Sequence, residues 1–397
     1  MDAGISRTEV AAIASSSAVS IVAVMPVFLT GALVIPMAAD LAFGAAGLGI
    51  AAALFRGTQA VTSPFLGRFA DRIGSTRALK LAALASAICS LGIASTANSL
   101  LVLCAWLCVG STANALGQPA ANRLLIHRVA ERRRGKGFGL KQAAVPASSM
   151  LAGVSVPLIG LTIGWRWAFV IAGSIALSIS LVLGSRSRGP RAAKPPRDDA
   201  PRTPLEGRST LLMMSVAFGL GVSATAVVPT FFVDSAVTAG ATQSLAGLVL
   251  AVGSISAILV RLVGGAIVDR FRIKPLRLCA MLLAVGTVGL VLLASGESQT
   301  MSLGVVLAMG GAWGFNGIFW YAMVSYYPAT PGRVTGVLAP GGFIGATTGV
   351  AVFGFVAEGT GYRSAWSLAA GLAVLAAVGM LVGGARFSST TKGISHA

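Results

Sequence analysis

Residues 67–77 read Gly67-Arg68-Phe69-Ala70-Asp71-Arg72-Ile73-Gly74-Ser75-Thr76-Arg77, and residues 265–270 read Gly265-Ala266-Ile267-Val268-Asp269-Arg270. The two aspartates stand 198 positions apart. A second pair repeats at nearly the same offset. Gly164-Trp165-Arg166-Trp167-Ala168-Phe169 is echoed 197 positions later by Gly361-Tyr362-Arg363-Ser364-Ala365-Trp366. Two independent matches at nearly one offset mark an internally duplicated chain. Each polar motif is flanked by long apolar runs, so the repeated unit is a set of hydrophobic spans joined by short polar turns.

Working outward from those turns gives twelve spans, at 14–38, 46–67, 77–96, 99–120, 138–161, 165–184, 210–233, 244–267, 275–295, 300–324, 333–357 and 363–385. A helix needs about 20 apolar residues to cross the ~30 Å hydrocarbon core. Lipid offers no partner for the open backbone groups of a strand. The expected fold is therefore all-α and integral to the membrane, with twelve transmembrane helices in two pseudo-symmetric six-helix halves. Composition agrees: 55% of the 397 residues are apolar and 11% are charged, against roughly 25% charged in a soluble domain. A soluble enzyme or nucleic-acid-binding module could not cover its surface with so little charge. The first span is too long for a signal-peptide core and reads as a membrane helix. Cys89, Cys104, Cys108 and Cys279 all fall inside spans without metal spacing and read as small packing residues. No metal or cofactor is expected, and no Ser/His hydrolytic constellation is present.

Charge fixes the expected topology. Of 30 Lys and Arg, three lie within spans (Arg56, Lys141, Arg261). With the N-terminus inside, Arg166 and Arg363 fall outside and the remaining 25 lie on the cytoplasmic side. The positive-inside rule then places both termini in the cytoplasm. The net charge of +18 is read as topology and contact with anionic lipid headgroups, not as a nucleic-acid surface. Residues 185–209 hold seven Lys/Arg, three acids and five prolines, a composition that cannot bury a core. The expected organisation is thus 1–184 as one six-helix half, 185–209 as a cytoplasmic linker, and 210–397 as the second half with a short tail. Arginine outnumbers lysine 24 to 6, which points to a GC-rich bacterial genome and a multi-pass protein of the bacterial inner (plasma) membrane.

The loop motif Gly67-x-x-x-Asp71-Arg72-x-Gly74, with Arg77 after it, and its looser copy Gly265, Asp269, Arg270 resemble the signature of the major facilitator superfamily. Thr76 replaces one expected basic residue. The resemblance covers essentially the whole chain. It implies a monomeric twelve-helix carrier that rocks between inward-open and outward-open states. In that setting Gly67 and Gly265 would admit a neighbouring helix closely. Asp71 and Asp269 would accept hydrogen bonds from helix N-terminal amides or pair with arginines, gating the cytoplasmic side.

Charges inside the spans are the functional signal. A central Arg costs about 2.5–3.5 kcal/mol on insertion scales, so it usually faces a cavity. Arg56 shares one helical face with Gln59 and Ser63. Under the 198 offset Arg56 maps to Ser254, and Ser63 maps to Arg261. The arginines thus occupy equivalent faces of equivalent helices, seven residues or ~10 Å apart in height. No acid lies at that depth, so the expected counterion is the substrate, an oxyanion or carboxylate gripped by a guanidinium fork. The alternative is that each Arg packs against backbone carbonyls. Lys141 reads equally as path residue or interfacial anchor. Asn114 (with Ser111 and Gln118) and Asn316 and Trp320 (with Trp313) form polar stripes that either line the cavity or join helices.

Arg56 and Arg261 are also similar in position to arginines of nitrate/nitrite carriers. Oxalate/formate and monocarboxylate carriers share the span-eight arginine. The Asn-Gly signatures of nitrate carriers are missing from spans five and eleven, and the drug-antiporter motif of span five is degraded at Val156-Pro157-Leu158-Ile159-Gly160-Leu161. The expected function is secondary transport of a small organic or inorganic anion, coupled to a proton or a counter-anion. The alternative is an efflux carrier for amphipathic drugs or metabolites.

Overall fold

A computed structural model describes residues 6–185, 208–271, 273–327 and 331–394, and every regular element among them is helical. The helices fall on the twelve spans. Span one is Arg7–Ala32 continued by Val34–Leu41, span two Ala45–Ile73, span three Ser75–Thr96 and span four Leu100–Arg128. Span five is Glu131–Ser155 closed by a π-turn at Val156–Gly160, and span six is Trp165–Ser185. Span seven breaks into Arg208–Ala226 and Val228–Thr238, where Pro229 starts the second piece. Spans eight and nine are Gln243–Phe271 and Pro275–Leu293. Span ten is interrupted at Ala308–Trp313 by a π-turn between Ser298–Leu307 and Phe315–Tyr326. Spans eleven and twelve are Pro331–Thr360 and Tyr362–Ile394. The expected linker lies almost wholly outside the described residues.

Most helices run beyond their apolar stretches, because a helix ends where its backbone turns and not where lipid ends. Span two continues through Asp71 and Arg72 until Gly74, whose φ of +87° a side-chain-bearing residue rarely adopts. Eleven helices are long and apolar enough to cross a membrane on their own. Ala45–Ile73 qualifies only together with Val34–Leu41, from which it turns by 104°. Its deficit has a plain cause: Arg56, Thr58, Gln59, Thr62 and Ser63 crowd its middle.

The repeat seen in the sequence recurs contact by contact at the end of the bundle opposite the linker, here the distal end. Trp165 Nε1 donates to Asp40 Oδ2 at 2.8 Å, and Tyr362 Oη donates to Asp234. Arg166 Nη2 donates to the Ala97 carbonyl at 3.0 Å, and Arg363 Nε to the Ala294 carbonyl at 3.2 Å. Residue 97 maps onto 294 at the same offset of 197. Gly164 and Gly361, both at positive φ, start the two equivalent turns.

The spans before and after the linker meet through glycine. A Cβ on Gly31 would lie 2.8 Å from the Thr230 carbonyl oxygen, and one on Gly153 2.5 Å from that of Gly247. Without a hydrophobic driving force between helices in lipid, such close backbone approach supplies the packing energy. The largest buried cluster spans both halves and includes Phe28, Phe55, Phe231, Trp313, Phe353 and Trp366. Large apolar residues such as Leu101, Leu158, Val216 and Leu303 are exposed on the outside, which suits a lipid-facing surface.

Candidate functional site

Arg56 is the twelfth residue of the 29-residue helix of span two. Its side chain is half-buried, and among the described residues it has no hydrogen-bond or ion-pair partner. The guanidinium carbon lies 5.9 Å from the centre of the adjacent Phe55 ring. Gln59, one turn on, is also half-buried, and its side-chain amide makes no hydrogen bond among the described residues. Ser63 is satisfied locally, its hydroxyl donating to the Gln59 carbonyl at 2.6 Å. Span two therefore presents a cation and an amide that no side chain or carbonyl among the described residues engages.

The level of Arg56 is also where spans two and eleven part. These helices run antiparallel and touch from the distal end inward. A Cβ on Gly49 would lie 2.8 Å from the Val350 carbonyl oxygen, and one on Gly57 would lie 3.4 Å from Thr347 Cγ2. Beyond that level, Gly67 has nothing within 4 Å of where a Cβ would be. The close approach expected at Gly67 is thus absent here, because its face of span two is open at the linker end.

Arg261 behaves differently from Arg56. Its Nη1 donates to the Gln142 carbonyl of span five at 2.8 Å, and its Nη2 to the Trp313 carbonyl of span ten at 3.1 Å. The guanidinium carbon sits 5.1 Å from the centre of the Trp313 ring, while Nε is buried without a partner. Trp313 closes the π-turn of span ten, a kind of defect often found at functional sites. The carbonyl-bound alternative describes Arg261 in this conformation, and it ties the two halves together. One level further toward the distal end, Ser254 Oγ donates to Ser149 Oγ at 3.0 Å, again between the halves.

Lys141 is 2% exposed, and its ammonium is held by the side-chain oxygens of Gln118 and Asn122 of span four. Gln118 Nε2 in turn donates to Asn114 Oδ1 at 3.0 Å. Neither surface anchorage nor exposure to a path describes this lysine. Burial excludes snorkelling, and the amides of span four supply its solvation. Asn114, at 4% exposure, belongs to the same helix-joining network. Trp320 packs edge-on against Phe218 and Phe319, with ring centres 5.2 and 5.7 Å away. Asn316 is half-buried without a hydrogen bond among the described residues.

At the linker end, Asp71 pairs with Arg123 of span four at 2.7 Å. This arginine comes from its own half, so the pair bridges spans two and four and not the two halves. Arg72, Arg77 and Arg270 are exposed. The Asp269 side chain and the surroundings of Gly265 lie outside what the structure describes.

The family model of the Major Facilitator Superfamily matches residues 16–346, most of the chain. The chain belongs to the major facilitator superfamily. Members of that superfamily are secondary transporters, so the protein is a membrane transporter and not an enzyme. Solved superfamily structures share the fold along nearly the whole length. A bacterial homologue of the human lysosomal transporter Spinster, inward-facing and occupied, matches with a TM-score of 0.71 at 14% identity, covering 98% of each chain. Its inward-facing, unoccupied form matches at 0.68 and 15%, over 97% of each chain. A mutant of the nucleoside transporter NupG matches at 0.72 and 16%, over 94% of this chain and 99% of that one. Identities this low show the fold alone. The search of curated proteins gave no match.

Several residues of the site carry no strong signal in the sequence. Asn122 extends the Asn114–Gln118 stripe by one turn and was legible in that spacing. Gln142 and Trp313 act through backbone carbonyls, which no residue type announces. Glu358 reads as a loop acid, yet its Oε2 accepts the Ala46 N–H of span two at 2.8 Å, from the other half of the chain.

Proposed function

We propose that the protein carries a small anion, a monocarboxylate or small inorganic oxyanion, by alternating access, with Arg56 as the principal ligand. The observation that carries this reading is the absence of any partner for Arg56 among the described residues, in mid-span, where the two halves diverge. An arginine in such a place calls for an anion, and a guanidinium fork matches a carboxylate or oxyanion with two parallel hydrogen bonds. Gln59 is placed one turn away to add a neutral hydrogen bond. Arg261, engaged with carbonyls, acts at a different stage: it is freed as spans five and eight separate, and it then meets the anion on its way through.

Sidedness follows from the basic residues. The linker end faces the cytoplasm of a bacterium and the distal end faces outward. Moving an anion inward against an inside-negative potential costs about 2.3 kcal/mol per charge per 100 mV. Uptake therefore requires a co-transported proton or exchange for another anion. The protein acts as a monomer, because each chain contains a complete pair of halves.

Thermal-shift and flux measurements with acetate, lactate, formate, oxalate and nitrate on the purified, reconstituted protein test the reading. One of these anions should stabilise the wild type, and Arg56→Gln should abolish that shift. If the wild type neither binds nor carries any anion, or if Arg56→Gln binds it unchanged, the reading fails.

A further inference from the structure

Spans one and five run in parallel and pack in register. Arg133 pairs with Glu9 at 3.0 Å, and a Cβ on Gly137 would lie 3.6 Å from Ile13. Each pair is 124 positions apart, and one turn further on the same offset sets Lys141 opposite Ser17. Span four crosses the same face in the opposite direction. It meets span one where the Ala130 N–H, just past its end, donates to Glu9, and where a Cβ on Gly117 would lie 3.4 Å from Val19. Asn122 lies between those two contacts on span four, as Ser16 lies between them on span one. Lys141, Asn122, Ser16 and Ser17 therefore share one level in the core of three helices.

The hydrogen bonds at this level do not close. The Lys141 ammonium donates to Gln118 and, at 3.1 Å, to Asn122 Oδ1, which leaves one of its three N–H groups unused among the described residues. The Asn122 amide nitrogen makes no bond among them either. Ser16 Oγ and Ser17 Oγ are both buried without a partner. Buried polar groups are nearly always bonded, so two orphan hydroxyls beside an ammonium with a donor to spare require a cause. Charge does not balance either. Lys141 has no ion pair among the described residues, and the acid on this face, Glu9, is taken by Arg133 and the Ala130 N–H. A buried charge without a counter-charge is strongly destabilising.

We infer that Lys141, Asn122, Ser16 and Ser17 enclose a site for one small inorganic anion, a halide, which in the cell is chloride. Every group left over can donate a hydrogen bond to it. The uncancelled ammonium repels a metal cation, and a water molecule would fill the bonds but leave the charge. The walls from spans one and five are small, namely Ser16, Ser17, Gly137 and Ala144, and the level is closed, with Ser16 at 0% and Lys141 at 2% exposure. That suits a monatomic ion and not a carboxylate with a body attached. The site lies wholly within the first half, apart from Arg56, and does not rest on what Arg56 carries. The bound ion completes the polar core that joins spans one, four and five.

The melting temperature of the purified full chain, at constant sodium, pH and ionic strength, tests it. Exchanging gluconate for chloride or bromide should raise the wild-type value saturably, by about 2 °C or more. Lys141→Met should melt near the wild type in gluconate and gain nothing from the halide. Ser17→Ala keeps the packing and should raise the half-saturating chloride concentration about ten-fold, the loss of one hydrogen bond to a charged group. Crystals grown in bromide should show an anomalous-scattering peak in contact with Lys141 Nζ. The inference is overturned if the wild type melts alike in gluconate and chloride, if Lys141→Met keeps the rise, or if Ser17→Ala titrates as the wild type does. Should Lys141→Met not fold, Ser17→Ala and the bromide peak decide. A rise that Arg56→Gln abolishes and Lys141→Met retains puts the ion in the transport path, which overturns this site and supports the function proposed above. A halide rise that survives Arg56→Gln, in a chain that carries no anion, does the reverse.

Discussion

At the scale of single residues, two arginines on equivalent helix faces have different work. Arg56 offers a free fork, so charge alone does not suffice there. Arg56→Lys keeps the charge but cannot make the planar two-pronged contact. Loss of a charge-assisted hydrogen bond is worth about 1.5–3 kcal/mol, which is roughly 10- to 150-fold in affinity. Anion titration of the purified variant checks this, and Arg56→Gln should be weaker still. Arg261 donates to the Gln142 and Trp313 carbonyls, so Arg261→Gln should alter transport rate more than equilibrium affinity, seen by comparing flux with binding in matched liposomes. Lys141 makes a contrasting case. Replacing a buried ion by an apolar residue of similar shape is often tolerated, whereas stripping away its partner is not. Lys141→Met should therefore disturb thermal stability less than Gln118→Leu, which leaves a buried ammonium with one acceptor fewer.

At the scale of elements, the crossings between the halves depend on bare backbone. Gly153→Val would place atoms 2.5 Å from the Gly247 carbonyl oxygen, and backbone cannot give way as a side-chain tip can. The variant should hold spans five and eight apart at the distal end, read as faster alkylation of a cysteine placed at Val156. The same elements show what the sequence made legible. All twelve spans could be read from hydropathy and the turns between them, because lipid enforces a long apolar run on any crossing helix. The Gly164 and Gly361 turns were legible as a repeat because a glycine, an aromatic residue and an arginine recur together there. The π-turns at Val156–Gly160 and Ala308–Trp313 were not, since a widened turn is set by what packs on it and not by its own residues. For the same reason the partners of Arg261 stayed hidden: they are carbonyls, present at every position. Glu358 was hidden because its partner, the Ala46 amide, is 312 residues away in sequence.

At the scale of the molecule, the halves touch at the distal end while span two stands open at the linker end, so single contacts set rates of exchange as well as stability. Asp71 and Arg123 are partly exposed, 42% and 21% in their side chains, and such pairs are worth about 0–1 kcal/mol. Asp71→Asn should thus leave folding and insertion intact. It should slow flux far more than it weakens anion affinity, because it changes the balance between states and not the site; an equal loss in both would place Asp71 in the binding path. The lysine cradled by span four bears on how the chain is made as well. Span five carries a buried cation about one turn inside its linker-side end, where a bilayer disfavours charge, and the oxygens that solvate it belong to Gln118 and Asn122 of the preceding helix. Only a two-residue turn, Val129-Ala130, separates the helices. A ribosome delivering this chain would release span five into lipid at a penalty if span four had already diffused away. The two are best handed over as one hairpin, and the order of biosynthesis is thereby written into a single buried amine.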